Sequence, residues 1–387
     1  MGAFFPEHQF LKRILNHTKM PTQNPTVSFV VPCYKLGHLL PECVNSILGQ
    51  TYGDFEVLIM DDCSPDNTPE VALFFKDVRV RHIRNEQNLG LLRNYNKGIS
   101  LSRGKYIWLI SADDYFRRPY LLQRYTEVLE KNPEVGYTFC SGVGVRDGKE
   151  TGVLEYSAYE KHDQIVKGHV FLQTLLKSNI VLAPSGLVRR KCYDELGMFP
   201  LQKEMAWSGD WYLWCLFALH WDVGYFAEPM VCYREHELSM TNYFSQEKVE
   251  LMLAGDIAVP WMIKQKADQA GFRKISKKCL QAIAIEYARH LTVKYHRGSA
   301  STITMAQFEE SLCRNTPREK ERNWIRARVY AGIADHRYGH GQPSLARESY
   351  WSAVQKDPWM AKVYAKLLLL SLGKLGDLLR RGMRSAS

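Results

Sequence analysis

Three short runs of apolar, β-branched residues, each ending abruptly in a polar cluster, constrain this chain more than anything else in it. VSFVVP (27–32) stops at a proline just before Tyr34, FEVLIMDD (55–62) ends in two acids, and GKYIWLISADD (104–114) ends in two more. Between them, HLLPECVNSILGQ (38–50) and LLRNYNKGISLS (91–102) space their apolar residues for helices, and DVRVRHIRN (77–85) reads as another short strand. The alternation predicts an α/β domain with a mainly parallel sheet. Open sheets of that kind hold ligands at the C-terminal ends of their strands, where Tyr34, Asp61–Asp62 and Asp113–Asp114 fall.

Further along, VGYTFCSGVGV (135–145) reads as a strand and HVFLQTLLKSN (169–179) as a helix leading to the small-residue segment VLAPSGLVRR (181–190). WSGDWYLWCLFALH (207–220) reads as a polar turn running into an apolar helix, and VGYFAEPMVCYREH (223–236) as a closing strand and loop. From about residue 245 the strand signals vanish and the rest reads as helical. Ala346, Tyr350, Ala353 and Pro358 sit at the offsets of the second helix of a tetratricopeptide repeat, but with no second copy at that period a lone helical hairpin is expected.

Composition matters through where the charge lies. Residues 1–245 hold 26 basic against 28 acidic side chains, a net of −2, whereas residues 246–387 hold 25 against 13, a net of +12. Such an excess suits an anionic membrane surface or simply a solvated helical face. The final stretch, WMAKVYAKLLLLSLGKLGDLLRRGMRSAS, adds an apolar face to Lys362, Lys366, Lys374, Arg380, Arg381 and Arg384, a composition for lying on a bilayer or packing on the preceding helices. Zinc, helix-turn-helix and RNP signatures are lacking, so nucleic acid is not expected as a partner. No apolar stretch reaches the ~18 residues that cross a bilayer, and the N-terminus lacks the apolar core of a secretory signal. The expected location is the cytoplasm, peripherally on the inner face of the membrane. Nine scattered cysteines without a CxxC pair read as reduced thiols.

The strand-end acids carry the chemistry. Asp62 offers a carboxylate to a base N–H or to ribose hydroxyls. Asp113–Asp114 form a hard-oxygen pair suited to Mg²⁺ or Mn²⁺ held chiefly by a diphosphate. Singly, such acids are usually solvated or cap the next helix; their conjunction carries more weight. VSFVVPCYK, EVLIMDDCSPDNT, NEQNLGLLRNYNKGI and SRGKYIWLISADD also occur in the order and spacing of family 2 glycosyltransferases. Over residues 26–245 the chain resembles those inverting, nucleotide-sugar-using enzymes of the GT-A fold, and SGLVRRKCYDELGMF and SGDWYLWCLF look like their acceptor-side motifs.

The resemblance implies a Rossmann-like, nucleotide-sugar-binding GT-A domain at 26–245, between an N-terminal extension (1–25) and an all-α domain (246–387). It implies that Pro32 and Tyr34 frame the nucleobase, that Asp62 reads the base or ribose, and that Asn88, Gly90, Asn94 and Asn96 close over the nucleotide. Ala112 and Asp113 lie in the counterpart of the metal-binding Asp-x-Asp motif. Ser111 stands where its first aspartate commonly is, which leaves Asp113 and phosphate oxygens to hold Mn²⁺ or Mg²⁺. Tyr95 stands where many relatives carry Arg. Asp210 matches the general base, His236 matches a histidine facing the diphosphate or metal, and Trp207 is expected against the acceptor. Without the resemblance, Asp210 reads as an N-cap, Trp214 as core and His236 as a solvated loop residue.

Together these imply a metal-dependent transfer of sugar from a nucleotide diphosphate, UDP-sugar favoured, to a hydroxyl of a glycan or glycolipid in surface polysaccharide synthesis. A catalytically idle nucleotide- or glycan-binding scaffold with a helical protein-interaction domain is the alternative.

Overall fold

The computed structural model describes residues 24–237, 239–292 and 303–373. All but the last two residues of the expected N-terminal extension, and the basic end of the chain at 374–387, lie outside the described residues. The strands are β1 (Val27–Cys33), β2 (Phe55–Asp61), β3 (Val80–Arg84), β4 (Tyr106–Leu109), β5 (Tyr115–Phe116), β6 (Val135–Arg146), β7 (Lys149–Val153), β8 (Gln164–Val166), β9 (Leu187–Arg189) and β10 (Asp222–Arg234). The helices are α1 (Leu40–Leu48), α2 (Thr68–Leu73), α3 (Leu91–Leu101), α4 (Leu121–Lys131), α5 (Gly168–Leu175), α6 (Arg190–Leu196), α7 (Met205–His220), α8 (Met240–Glu247), α9 (Val249–Gln269), α10 (Arg273–Thr292), α11 (Met305–Asn315), α12 (Glu319–Gly339), α13 (Pro343–Lys356) and α14 (Ala361–Ser371).

Two compact units divide the chain. The first takes the described residues up to Ile165, Val181–Met198 and Val223–Arg234, and carries the sheet, in the order β3-β2-β1-β4-β9-β6-β10-β5 with β7 beside β6. β1 is buried along its whole length because parallel partners flank it, Val27 pairing with Phe55 of β2 and with Tyr106 of β4. A strand covered on both faces needs a continuous apolar run, which VSFVVP supplies. Gly98 lets α3 press on this centre: a Cβ there would lie 2.3 Å from Val30 Cγ1 and 3.1 Å from Met60 Cγ.

The α/β class agrees with the sequence, but the expected mainly parallel sheet does not extend past β4. β9 runs antiparallel to β4, and β6 antiparallel to both β9 and β7. The cause is local. Asp147 and Gly148 both have positive φ, 52° and 72°, the two-residue turn that folds a chain straight back on itself. Across this half of the core Trp108 stacks on Tyr125, with centroids 5.0 Å apart, and Tyr125 on Phe226 at 4.8 Å.

The second unit takes Val166–Ile180, Phe199–Asp222 and the described chain from Glu235 on. Twelve of the sixteen residues of α7 are buried, so this helix is apolar on nearly every side. It starts at Met205, so the SGDW segment is helix interior and not the expected turn. Packing holds these weak helix formers in place: Gly255 of α9 approaches so closely that a Cβ would lie 2.5 Å from Glu204 O and 2.6 Å from Ser208 Oγ. Helices α9–α12 share a core of Trp261, Ile283, Tyr287, Phe308 and Ile325. Helices α12–α14 share another, in which Ala346, Tyr350 and Ala353 are fully buried, as the hairpin reading expects. Among the described residues no helix is long and apolar enough to cross a membrane.

Candidate active site

The ladders of the sheet unit continue past the named strands into the polar clusters. Asp62 N donates to Cys33 O at 2.9 Å and Ala112 N to Pro32 O at 3.1 Å, so Asp62 and Ala112–Asp113 flank the end of β1 from opposite sides. At ordinary strand spacing that places them about 10 Å apart on one edge. Lys35 and Cys63 both hold φ of 59°, a left-handed conformation that non-glycine residues rarely adopt, so the chain turns sharply out of the sheet just after Tyr34 and Asp62. Tyr34 is exposed there and Pro32 is buried in β1.

Asp62 is buried, and its carboxylate accepts from Asn85 Nδ2 at 2.8 Å, Leu89 N at 2.8 Å and Gly90 N at 3.0 Å. Three of its roughly four acceptor positions are therefore taken, two of them latching the 88–90 loop onto the end of β2 and one holding Asn85. Asn88 Oδ1 accepts from Gly90 N at 2.9 Å, and Gly90, with φ of 79°, starts α3. Asn94 is a buried strut: its Nδ2 donates to Met60 O at 2.9 Å and its Oδ1 accepts from Asn85 Nδ2 at 2.9 Å. Lys97 Nζ fixes the Asn85 amide by donating to Oδ1 at 2.7 Å. Asn96 is half-buried on α3. Beneath the latch, Asp61 is fully buried and accepts from Ser64 N, His82 Nε2 and Arg84 NH1 at 2.8, 3.2 and 2.8 Å. Burial raises its carboxyl, but the bonds from His82 and Ser64 and the Arg84 charge outweigh that and hold it below the ordinary range.

The acids after β4 do not act as a pair. Asp114 is buried, its Oδ1 accepts from Arg234 N at 2.9 Å, and burial with the neighbouring Asp113 charge pushes its carboxyl well up. Asp113 is half-buried and keeps the more accessible carboxylate. One hard oxygen donor at a strand end fits Mg²⁺ or Mn²⁺ completed by diphosphate oxygens and water. Arg234, which no sequence motif marks, ties β10 to this turn through Nε to Asp113 O at 2.9 Å and reaches Glu42 with NH2.

In the helical unit Asp210 lies in the second turn of α7. Its Oδ1 accepts from Trp211 N at 2.7 Å and its Oδ2 from Asn179 Nδ2 at 3.3 Å. Burial, only partly offset by these bonds, pushes its carboxyl up to about 6. Trp207 is half-buried, donates Nε1 to Asp256 Oδ1 at 3.2 Å and packs its ring 5.8 Å from that of Phe244, so part of it is committed to the fold. His236 is half-buried, and its carbonyl accepts from Ser239 N at 3.0 Å and Asn242 Nδ2 at 2.7 Å.

The helical unit also buries a group that the sequence does not announce. Asp256, Glu286 and His290 bring one ligand atom each within 4.8 Å of one another. Arg289 already lies among them, its NH2 2.5 Å from Glu286 Oε2 and 3.5 Å from Asp256 Oδ2, where a cation would sit. Burial raises Asp256 to about 6 and Glu286 to about 7, and burial with the Arg289 charge lowers His290 to about 4. The only sequence signal is Glu286–His290 at i, i+4.

Residues 28–179 match the family model described as Glycosyl transferase family 2. A glycosyltransferase of Streptococcus pneumoniae, GlyG, is 39% identical over 111 residues, 28% of this chain and 37% of that protein. The uncharacterized glycosyltransferase EpsJ of Bacillus subtilis is 38% identical over 110 residues, 28% of this chain and 31% of that one. The aligned part thus spans about a third of these two relatives. Staphylococcus aureus TarS 1–349, solved in complex with UDP, superposes with a TM-score of 0.56 at 16% identity, covering 92% of each chain; the UDP-GlcNAc complex gives 0.55.

Proposed function

Since the chain belongs to glycosyl transferase family 2 through residues 28–179, we propose that it is an inverting glycosyltransferase. It takes a nucleotide diphosphate sugar and passes the sugar to a hydroxyl of a glycan or glycolipid in surface polysaccharide synthesis, from a peripheral position on the inner face of a membrane. The observation that carries this reading is the strand-end edge: a buried Asp62 latching the 88–90 loop on one side of β1 and the half-buried Asp113 on the other. UDP is the favoured nucleotide, being what the TarS structure holds.

The base stacks beside Tyr34 and Pro32, and Asp62 offers its remaining lone pair to base or ribose. The 88–96 segment keeps that carboxylate aimed, through Asn85 and Asn94. Asp113 would hold the Mn²⁺ or Mg²⁺ expected in this fold, and the ion would supply charge relief to the leaving diphosphate, while His236 stays the metal-facing histidine that the family resemblance implies. Asp210 removes the proton from the acceptor hydroxyl, and the oxygen attacks the anomeric carbon as the bond to diphosphate breaks on the opposite face, which inverts the centre. A carboxyl near 6 is mostly ionised at neutral pH yet basic enough to take a proton in the transition state. Trp207, one turn before Asp210, contacts the acceptor sugar with the part of its ring not engaged by Phe244.

The test is a panel of UDP- and GDP-sugars with Mn²⁺, scored first for thermal stabilisation and then for sugar release. One donor that stabilises the protein and is turned over supports transfer. A donor that binds without any turnover in the presence of glycan acceptors contradicts it.

A further inference from the structure

We infer that the outer face of α14 docks on the surface of an anionic lipid bilayer. Val363, Leu367 and Leu370 point from this helix into the α12–α14 core. Tyr364, Leu368 and Leu372, four residues apart and so on one face, stay exposed, Leu368 by 63%. Ala361 and Ala365 complete that face, and Trp359, 92% exposed, stands just before it. Scattered apolar side chains on a surface need no explanation, but a stripe along one helix does. A tryptophan and a tyrosine beside leucines are the composition of helices that lie at the headgroup level.

Charge selects a bilayer over a second copy of the chain. Lys362 is exposed at the start of α14, and Arg347 of α13 donates to Leu370 O at 3.2 Å, placing a guanidinium near the other end. Lys366 is engaged elsewhere, with Asp335 at 2.6 and 2.7 Å. The sequence beyond the described residues adds Lys374, Arg380, Arg381 and Arg384 against Asp377, within a half that carries +12 overall. Two copies meeting along the stripe would bring Lys362 and Arg347 of one near those of the other, whereas anionic headgroups attract them. Eleven residues are far too few to span a bilayer, so the helix lies on it. This deepens the membrane part of the function proposed above, and its test contains neither donor nor acceptor, so docking and sugar transfer fail independently.

The full chain is sedimented with vesicles of phosphatidylcholine alone and with vesicles containing about one-third phosphatidylglycerol. The expected result is binding to the anionic vesicles only, weakened by salt and reduced about tenfold or more in Leu368→Asp. Thermal melting checks that Leu368→Asp keeps its fold; if it does not, Trp359→Ser, outside any helix, takes its place in the experiment with a smaller expected loss. Absence of binding to anionic vesicles, equal binding of a folded variant and the wild type, or binding abolished only by deleting 374–387 would each overturn the inference. So would a dimer in light scattering that Leu368→Asp dissociates, because the stripe would then belong to a second copy.

Discussion

The two units bury acidic side chains in opposite ways. In the sheet unit Glu56 accepts from Ser28 Oγ at 2.7 Å, from Arg103 N at 2.8 Å and from its guanidinium at 2.7 and 2.9 Å. Asp61 receives an amide, an imidazole and a guanidinium. Burial opposes ionisation in both, but the donors prevail and both carboxyls lie below the ordinary range. In the helical unit Asp210, Asp256 and Glu286 meet fewer or longer bonds, burial prevails, and they rise to about 6, 6 and 7. Strand ends expose rows of backbone N–H groups and leave room for cations from the next strand. A helix interior has already used its N–H groups, so an acid set there depends on a few side chains. The sheet unit therefore holds fixed charges, suited to a cradle, and the helical unit holds groups poised to exchange protons near neutrality. Asp114 is the exception in the sheet unit, and it is the strand-end acid next to another carboxylate.

The comparison breaks first at Asp210. Asp210→Asn should lower sugar transfer about a thousandfold while leaving donor binding by calorimetry within about twofold, the behaviour of a general base. Next comes the latch: Asp62→Ala leaves Leu89 N and one Asn85 amide hydrogen without their acceptor and Gly90 N with Asn88 Oδ1 alone, and urea unfolding should show a loss of about 3 kcal/mol together with weakened nucleotide binding. If Asp62→Ala melted like the wild type, the acid would not be what holds the loop.

Asp61→Asn sharpens the fixed-charge side. It should cost about 2 kcal/mol at neutral pH. The lowered carboxyl means that the wild type's advantage is complete above the unfolded value of 3.8 and is lost as pH falls through the still lower folded value. Glu286→Gln tests the opposite sign. A raised folded carboxyl contributes most below the unfolded value of 4.5 and is lost as pH rises through about 7. The wild type should therefore lose stability relative to Glu286→Gln over that window, by about 3 kcal/mol in paired melts. A difference that does not change with pH would remove Glu286 from the group of raised acids.

What could be read in advance follows the range of the interactions. Strands β1, β2 and β4, helix α3 and the helical second half are set by local period and apolar run, and all stand where VSFVVP, FEVLIMDD, GKYIWLISADD and LLRNYNKGISLS place them. The antiparallel half was marked only by the Asp147–Gly148 turn, since β9 pairs with β4 and β6 across long stretches of sequence. That Asp113 keeps the accessible carboxylate while Asp114 turns inward depends on Arg234, far along the chain. The start of α7 at Met205 depends on Gly255 in another helix, and the Asp256–Glu286–Arg289 group on two helices packing together. Asn85, which fixes both Asp62 and Asn94, carries no pattern at all before the strands are paired.

The most direct measurement is the pH dependence of sugar release from the donor that stabilises the protein, taken in excess acceptor. The expected profile is flat above neutrality and falls by half at about pH 6, where the Asp210 carboxyl takes up its proton. A rate that holds steady well below pH 5, or one matched by Asp210→Asn at every pH, would contradict the assignment of this carboxylate as the base.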